Sequence, residues 1–265
     1  RDYMIELPSA AQEFIGENGF KGIRISTRPD AVDGEICDIR EKYHVTAVEL
    51  GAQSTNDKVL AMNRRGHTRE DIFRSARLLK ERGFELGLQM MTGLYGSNDE
   101  DSIGTARDII SLSPDTARIY PTVVIENTEL AELYRNGEYR PQTPEEASVL
   151  CAKILPMFER AGIKVIRLGL HSGGDVEGSF VAGAYHPALR EMCEGHIYFD
   201  IINRALSGKE KGKYIIYVAP REVSKASGQR RCNIEKLREL GYECRIKENA
   251  ALSARDITLE KVNLL

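Results

Sequence analysis

The sequence lacks the features that mark membrane, secreted or zinc-binding proteins. No apolar run approaches the roughly 18 residues that a membrane-spanning helix needs, and the start at Arg1 does not resemble a signal peptide. The 5 cysteines are widely spaced, which excludes a disulfide framework and the usual zinc or iron-sulfur spacings. Tryptophan is absent, and a net charge of -3 gives no general attraction to nucleic acid or to an anionic membrane. We therefore expect a globular protein of the reduced cytoplasm.

The first 170 residues alternate between strand-like and helix-like segments. Strands are predicted at Gly22–Ser26, Ala47–Leu50, Glu85–Met91, Ala117–Val124 and Lys164–Leu170. Helical periodicity fills the intervals, which predicts a parallel sheet covered by helices. Polar residues follow the strands, as they do at the site-bearing edge of such sheets. The sequence thus predicts an α/β enzyme-like fold with one polar mouth.

The pattern changes at Ser172, where a glycine-rich loop is predicted to run to about Gly183. A helix should follow it, with Tyr185 or His186 near its start. The last part predicts a small α+β domain with the following elements: strand Tyr214–Val218, helix Asn233–Leu240, strand Glu243–Lys247 and strand Ile257–Val262. We place the boundary between two domains, 1–205 and 206–265, within the segment 205–212.

Four ordered segments carry a family resemblance. They read TRPD from Thr27, ELGAQS from Glu49, NRRGHT from Asn63 and RIYPT from Arg118, the last followed by ELYRNGEY from Glu132. These segments resemble radical S-adenosylmethionine (SAM) enzymes of the elongator catalytic-subunit type over about residues 5–170. The resemblance implies a partial (β/α)6 barrel without its first strands. It also implies SAM and a 4Fe-4S cluster as cofactors, cleavage of SAM to a 5′-deoxyadenosyl radical, and tRNA as the partner.

The resemblance also implies roles for individual residues. Gln53 and Arg65 match positions that hold the amino-acid or ribose part of SAM, and a guanidinium can grip a carboxylate through two hydrogen bonds. Ser26 and Gln89 stand at strand ends where relatives place a glutamate and an aspartate, and Tyr120 would line the mouth. The alternative roles are a structural loop amide for Gln53, a surface ion pair for Arg65 and a packed aromatic ring for Tyr120.

One part of the family's pattern is absent from the sequence. Radical SAM enzymes hold their cluster with three closely spaced cysteines, and no such triplet occurs between Arg1 and Leu265. The expectation is that this chain alone is inactive and that the natural protein extends upstream. We also expect the segment after the barrel to be too short to contain the acetyltransferase domain of the full family members. No catalytic residue and no metal ligand is assigned within the sequence.

A second similarity lies at Val223–Leu237, which resembles the turn between two helices of a KH RNA-binding module. In that module a Gly-x-x-Gly turn clamps the sugar-phosphate backbone. Gly228, Arg230 and Arg231 would be the RNA contacts here, with Arg231 in place of the second glycine. Dense basic residues suit phosphate contact, but a solvated basic turn on a structural domain is the alternative.

The sequence leaves three functions open. The first is a radical SAM enzyme, or part of one, that acts on RNA, and the second is a nucleotide- or RNA-binding module without a cluster. The third, a TIM-type aldolase, isomerase or hydrolase, ranks last because Glu49 is the one carboxylate at the predicted strand ends. We also expect His67 to fix its turn by a local hydrogen bond, just before a helix cap at Thr68.

Overall fold

The computed structural model describes residues 2–17, 19–171 and 178–262. The chain divides into two compact units, one made of Arg1–Thr143 with Ile154–Tyr185 and one of Pro144–Lys153 with His186–Leu265. This division differs from the predicted boundary near residue 205 because the helix Leu189–Leu206 contributes to the core of the second unit. Across the described ranges, no helix is both long and apolar enough to cross a bilayer.

A five-stranded parallel sheet forms the centre of the first unit. Its strands are β1 (Ile23–Thr27), β2 (Val45–Gln53), β3 (Glu85–Thr92), β4 (Thr116–Pro121) and β6 (Lys164–Leu168), in the order β1-β2-β3-β4-β6. All neighbouring strands run parallel, so their carboxyl ends share one edge, as predicted. The helices of this part are Asp2–Gln12, Gly34–Lys42, Asp57–Met62, Arg69–Glu81, Asp99–Ser111 and Glu129–Arg135, and the helix Pro144–Arg160 belongs to this unit from Ile154 onward.

The two faces of this sheet differ in polarity. One face is apolar and buried, and its residues include Val48, Leu50, Leu86, Leu88, Met90, Ala117 and Ile119. The helices Gly34–Lys42, Arg69–Glu81 and Asp99–Ser111 contact β2 or β3. The alternate residues form the opposite side, which we call the polar face and define by Ser26, Glu49, Gln89, Arg118 and Tyr120.

Local sequence explains where the helices begin. The Thr68 side chain accepts a hydrogen bond from the Asp71 amide, and the Asp71 carboxylate accepts one from the Thr68 amide. Asn98 and Asp101 form the same reciprocal capping box at the next helix. Each such cap contributes about 1 kcal/mol to stability, and the cap at Thr68 falls where the sequence predicts it.

The sequence predicts one strand at Ala117–Val124, and this prediction is wrong because the structure contains two strands there. β4 ends at Pro121, and the Thr122 amide and hydroxyl both donate to the Thr92 carbonyl, at 2.9 and 2.7 Å. β5 (Val123–Ile125) then pairs antiparallel with β7 (Phe180–Gly183). A pairing between such distant segments is invisible to local periodicity.

The predicted glycine-rich loop needs a correction for the same reason. Its last residues form β7, whereas 172–177 lie outside the described residues. The following helix begins at Leu189 rather than near Tyr185 or His186. The sheet continues past β4, because the predicted strand Lys164–Leu170 forms β6 and pairs with β4 in parallel.

The second unit is a small α+β domain, as predicted. Its strands β8 (Gly212–Val218), β9 (Tyr242–Glu248) and β10 (Ile257–Lys261) form a sheet in the order β10-β8-β9. The helices of this part are Leu189–Leu206, Val223–Ser227 and Cys232–Glu239. The buried Asn233 amide donates to the carbonyls of Gly195 (2.8 Å) and Ala226 (3.0 Å), which fixes the predicted basic turn against the long helix.

Candidate functional site

Gln53 ends β2 in a backbone conformation that is rare for glutamine. Its φ of 64° lies in the left-handed region, which costs about 1–3 kcal/mol for a residue other than glycine. Its Oε1 accepts a hydrogen bond from Gln89 Nε2 at 3.3 Å. Gly51 leaves room for this amide, since a Cβ at position 51 would lie 2.8 Å from Gln53 Nε2. Two of the predicted site residues are thus in direct contact, and strain of this kind is typical of functional sites.

Arg65 lies on the loop after the helix Asp57–Met62 and is half-buried. Its Nε is buried and finds no hydrogen-bond partner within the described residues. Burial, together with the neighbouring charge of Arg28, lowers the pKa of the Arg65 guanidinium. Arg28 is itself paired with Asp30, through hydrogen bonds of 2.9 and 2.6 Å. A partly buried guanidinium without a hydrogen-bonded partner favours an anionic ligand.

His67 connects the loop of Arg65 to the sheet. Its ring Nε2 lies 3.1 Å from the carbonyl oxygen of Ala52, on β2 beside Gln53. The sequence predicts a local hydrogen bond for His67, and the structure shows a tertiary one instead. By this contact the loop of Arg65 is tied to the carboxyl end of β2, next to Gln53.

Glu49 and Arg118 form an ion pair across the middle of the polar face. Glu49 on β2 is 2% exposed, and its Oε2 lies 3.0 Å from Arg118 Nε on β4. On β3, between them, the residue in register with Glu49 is Gly87. A Cβ at Gly87 would lie 3.3 Å from Glu49 Cγ and 3.2 Å from Thr116 Oγ1, so the glycine lets the carboxylate reach across the strand. Burial raises the pKa of Glu49, although the positive charges of Arg118 and Arg24 act to lower it.

The remaining predicted residues of the first unit lie on the same face. The half-buried Tyr120 hydroxyl accepts a hydrogen bond from Arg118 Nη1 at 3.3 Å. Ser26 is exposed on β1 in register with Glu49. The structure therefore brings Gln53 and Gln89 into contact and places Ser26 on an outer strand of the sheet. Tyr120 is hydrogen-bonded to Arg118, which lies in register with Gln89.

The residues that the structure describes do not supply ligands for an iron-sulfur cluster. Among them, no group of three or more His, Cys, Asp or Glu side chains is close enough to hold a metal ion. Cys37, Cys151, Cys193 and Cys244 are buried free thiols, and burial raises the pKa of Cys244 to about 11. Gln53 and Arg65 offer amide and guanidinium donors of the kind that carboxylate and hydroxyl groups accept, whereas the described part of the chain does not fit the cluster.

Gly228, Arg230 and Arg231 form a tight turn in the second unit, and all three have positive φ angles, of 74°, 52° and 66°. Only glycine fits position 228, since a Cβ there would lie 2.7 Å from Cys232 Sγ. Arg231 borders a pocket of about 550 Å³ that contains further basic residues. These are Lys213, Arg238, Arg245 and Lys247, and the acid among the lining residues is Glu243.

Two family models match the chain. The model of the radical SAM superfamily matches residues 1–109, and that of the radical SAM C-terminal domain matches residues 114–198. Together they include all strands that carry the polar face.

Individual relatives agree with these matches. The tRNA uridine(34) acetyltransferase of Methanocaldococcus jannaschii is 38% identical over 142 residues, which cover 51% of this chain and 26% of that protein. Elongator complex protein 3 of Homo sapiens is 33% identical over 145 residues, 51% of this chain and 25% of that protein. The chain spans about a quarter of the length of these curated relatives.

A solved structure supports the fold. The archaeal Elp3 of Methanocaldococcus infernus, with an N-terminal deletion, superimposes with a TM-score of 0.63 at 25% identity. The match covers 77% of this chain and 51% of that one. The α/β fold of the radical SAM type that the sequence predicts is therefore confirmed.

Sequence reasoning missed the pairing of Glu49 with Arg118. It treats Arg118 as part of a motif and Glu49 as an isolated carboxylate. The signal that could have found the pair is alternation within a parallel strand, since Thr116, Arg118 and Tyr120 interrupt the apolar run of β4. A parallel strand buried on both faces would be apolar throughout.

Replacing Gly87 by alanine tests the space that Glu49 needs. Because the added methyl group would crowd Glu49 and Thr116, we expect Gly87→Ala to lower the free energy of unfolding by about 1–3 kcal/mol. Gly104→Ala is the control: on the helix Asp99–Ser111 its Cβ meets nothing within 4 Å, so it should add about 0.5–1 kcal/mol. Urea unfolding measures both, and equal stabilities would contradict the packing described here.

The pKa of Glu49 predicts a pH dependence. Its folded-state pKa lies above the unfolded value, so its contribution to stability is present below the unfolded pKa and is lost as the pH rises through the folded one. Glu49→Gln removes this loss. Measured by urea unfolding, the stability of this variant relative to the parent should therefore rise as the pH increases above about 4.5, by about 1.4 kcal/mol per unit of pKa shift.

The control for this experiment is a variant whose relative stability should change with pH in the opposite direction. The hydrogen bond from Arg82 lowers the pKa of Glu41, so that carboxylate contributes stability above its unfolded pKa. Glu41→Gln should consequently lose stability relative to the parent as the pH rises over the same range. A relative stability of Glu49→Gln that does not change with pH would show that Glu49 titrates normally.

Proposed function

Because the chain belongs to the radical SAM superfamily, we propose that it is the SAM-binding part of a radical SAM enzyme of the elongator catalytic-subunit type. The proposed substrate class is uridine in tRNA, as the name of the Methanocaldococcus jannaschii relative suggests, and the proposed location is the cytoplasm. The observation that carries the proposal is the contact of Gln53 with Gln89 beside the loop of Arg65. The radical chemistry needs a 4Fe-4S cluster, and no step of it is assigned to the residues described.

Arg65 has the properties of the group that binds the SAM carboxylate. Its buried Nε needs an acceptor, and a carboxylate would also offset the repulsion from Arg28. Gln53 and Gln89 present amides at adjacent strand ends, where they can donate to and accept from the ribose hydroxyls. Gln53 is held in its strained conformation before any ligand arrives, so its amide needs little reorganisation on binding.

Titration of this chain with SAM tests the site directly. Loss of a charge-assisted contact should make Arg65→Gln bind SAM about 10- to 100-fold more weakly in isothermal titration calorimetry. Arg64→Gln is the matched control, because the neighbouring Arg64 side chain is 77% exposed and pairs with Glu129 at 2.7 Å. Equal losses of SAM affinity in the two variants would show that Arg65 has no specific role in SAM binding.

The enzymatic part of the proposal requires the complete natural gene product. That protein, with its iron-sulfur cluster reconstituted under anaerobic conditions, should form 5′-deoxyadenosine from SAM only when a reductant is present. A well-folded protein that binds SAM without cleaving it would leave a binding module as the function.

A second function, RNA binding by the second unit, is favoured by the pocket beside Arg231. Four further basic side chains line that pocket, so its surface suits a chain of phosphates. Gly228 and Asn233 fix the turn at one end of it, because the glycine packs against the asparagine side chain. RNA binding would be compatible with a tRNA-modifying enzyme and with a module that lacks chemistry.

The salt dependence of RNA binding tests this function. If Arg231 and Arg238 each contact one phosphate, then Arg231→Gln and Arg238→Gln should each reduce the slope of log affinity against log salt by about 1. Arg77→Gln, on the exposed side of the helix Arg69–Glu81, should leave the slope unchanged. Fluorescence anisotropy with a labelled oligouridine gives the slopes, and identical slopes in all variants would exclude the turn as the RNA site.

A further inference from the structure

Arg118 is a cation of the polar face that SAM binding, as proposed above, does not require. It lies in register with Gln89 on the neighbouring strand, and its Nη1 donates to the Tyr120 hydroxyl at 3.3 Å. Its side chain is 32% exposed, in contrast to the buried Glu49 with which it pairs. The guanidinium is therefore accessible beside the residues that we assign to SAM.

The described part of the polar face carries more guanidinium than carboxylate charge. Arg24 pairs with Glu85, and Arg118 pairs with Glu49. Arg167 lies on β6 in register with Arg118, and its Nη2 is buried without a hydrogen bond to any of the described residues. An anion that binds beside Arg118 and Arg167 would supply the hydrogen-bond acceptor that Arg167 Nη2 lacks.

Glu49 gives Arg118 a fixed position. The carboxylate reaches across Gly87 to the Nε edge of the guanidinium, and the Tyr120 hydroxyl accepts from Nη1. The Glu49 contact is an ion pair without a hydrogen bond, since Arg118 Nε and the Glu49 oxygens have no hydrogen-bond partner among the described residues. Together with the hydrogen bond from Nη1 to Tyr120 it restrains the guanidinium, which lowers the entropy lost when an oxyanion binds. Lysine, with a point charge on a flexible stem, would not be oriented in this way.

We propose that Arg118, positioned by Glu49 and assisted by Arg167, binds a phosphate group of the nucleotide substrate. This inference rests on the proposed function, because it needs a nucleic-acid substrate at the same mouth that takes SAM. The phosphate contact would orient that substrate, because Arg118 lies one strand away from Gln89. Phosphate oxygens match the fork of a guanidinium in geometry and charge.

The test compares uridine 5′-monophosphate with uridine on the complete chain by isothermal titration calorimetry. The ratio of the two Kd values isolates the phosphate contribution, since a general folding defect would weaken both ligands alike. We expect the parent to prefer the monophosphate by about tenfold or more, as for one charge-assisted contact. Arg118→Gln should abolish the preference, and Arg118→Lys should keep part of it.

Two further arginine variants locate the phosphate. Arg77→Gln, on an exposed helix, should leave the ratio unchanged, and Arg231→Gln tests whether the phosphate binds in the second unit instead. If Arg231→Gln removes the preference and Arg118→Gln does not, the phosphate binds in the second unit and the inference is wrong.

SAM titrated against the same variants separates this inference from the proposed function. Arg118→Gln should bind SAM within about twofold of the parent, since it keeps Arg65 and Gln53, a difference below about 0.5 kcal/mol. A large loss of SAM affinity in Arg118→Gln would assign Arg118 to the SAM site and overturn the inference. If no variant binds SAM but the ratio responds to Arg118, the proposed function fails while the phosphate contact stands.

Discussion

A carboxylate that is 2% exposed needs a counter-charge, and for Glu49 the counter-charge is two strands away on Arg118. This ion pair constrains much of the polar face. It requires a residue without a side chain at Gly87, it fixes Arg118 beside Gln89 and Tyr120, and it keeps one side of a parallel sheet polar. Removing one partner of such a pair generally costs more than the pair contributes, because an unpaired charge then remains buried.

At the carboxyl end of the sheet, residues near the Glu49–Arg118 ion pair are held by a strained backbone and by a tertiary hydrogen bond. Gln53 adopts a left-handed backbone, and His67 bonds the loop of Arg65 to Ala52. Both features cost conformational freedom that the rest of the first unit must offset, through the apolar face and the capped helices. What they provide is a set of amide and guanidinium groups already in place for a ligand with a carboxylate and hydroxyl groups.

The second unit has a different chemistry, with a basic turn and pocket on a small α+β scaffold. Its turn depends on Gly228, whose neighbours exclude a side chain, and on the buried amide of Asn233. In the proposed function, one unit would hold the cofactor and the other would hold the RNA backbone. Each of these tasks uses residues of its own, so mutations can separate them.

The sequence by itself determined the order and type of most elements, the parallel sheet, the cap at Thr68, and the motifs that indicate the family. These features are local, since periodicity, capping and motif spacing are written in neighbouring residues. Only the tertiary structure decided that β5 pairs with β7, that His67 bonds to β2, that Leu189–Leu206 belongs to the second unit, and that Glu49 meets Arg118 across Gly87. Each of these joins residues far apart in the chain, and such contacts depend on strand register and packing, which no local pattern encodes.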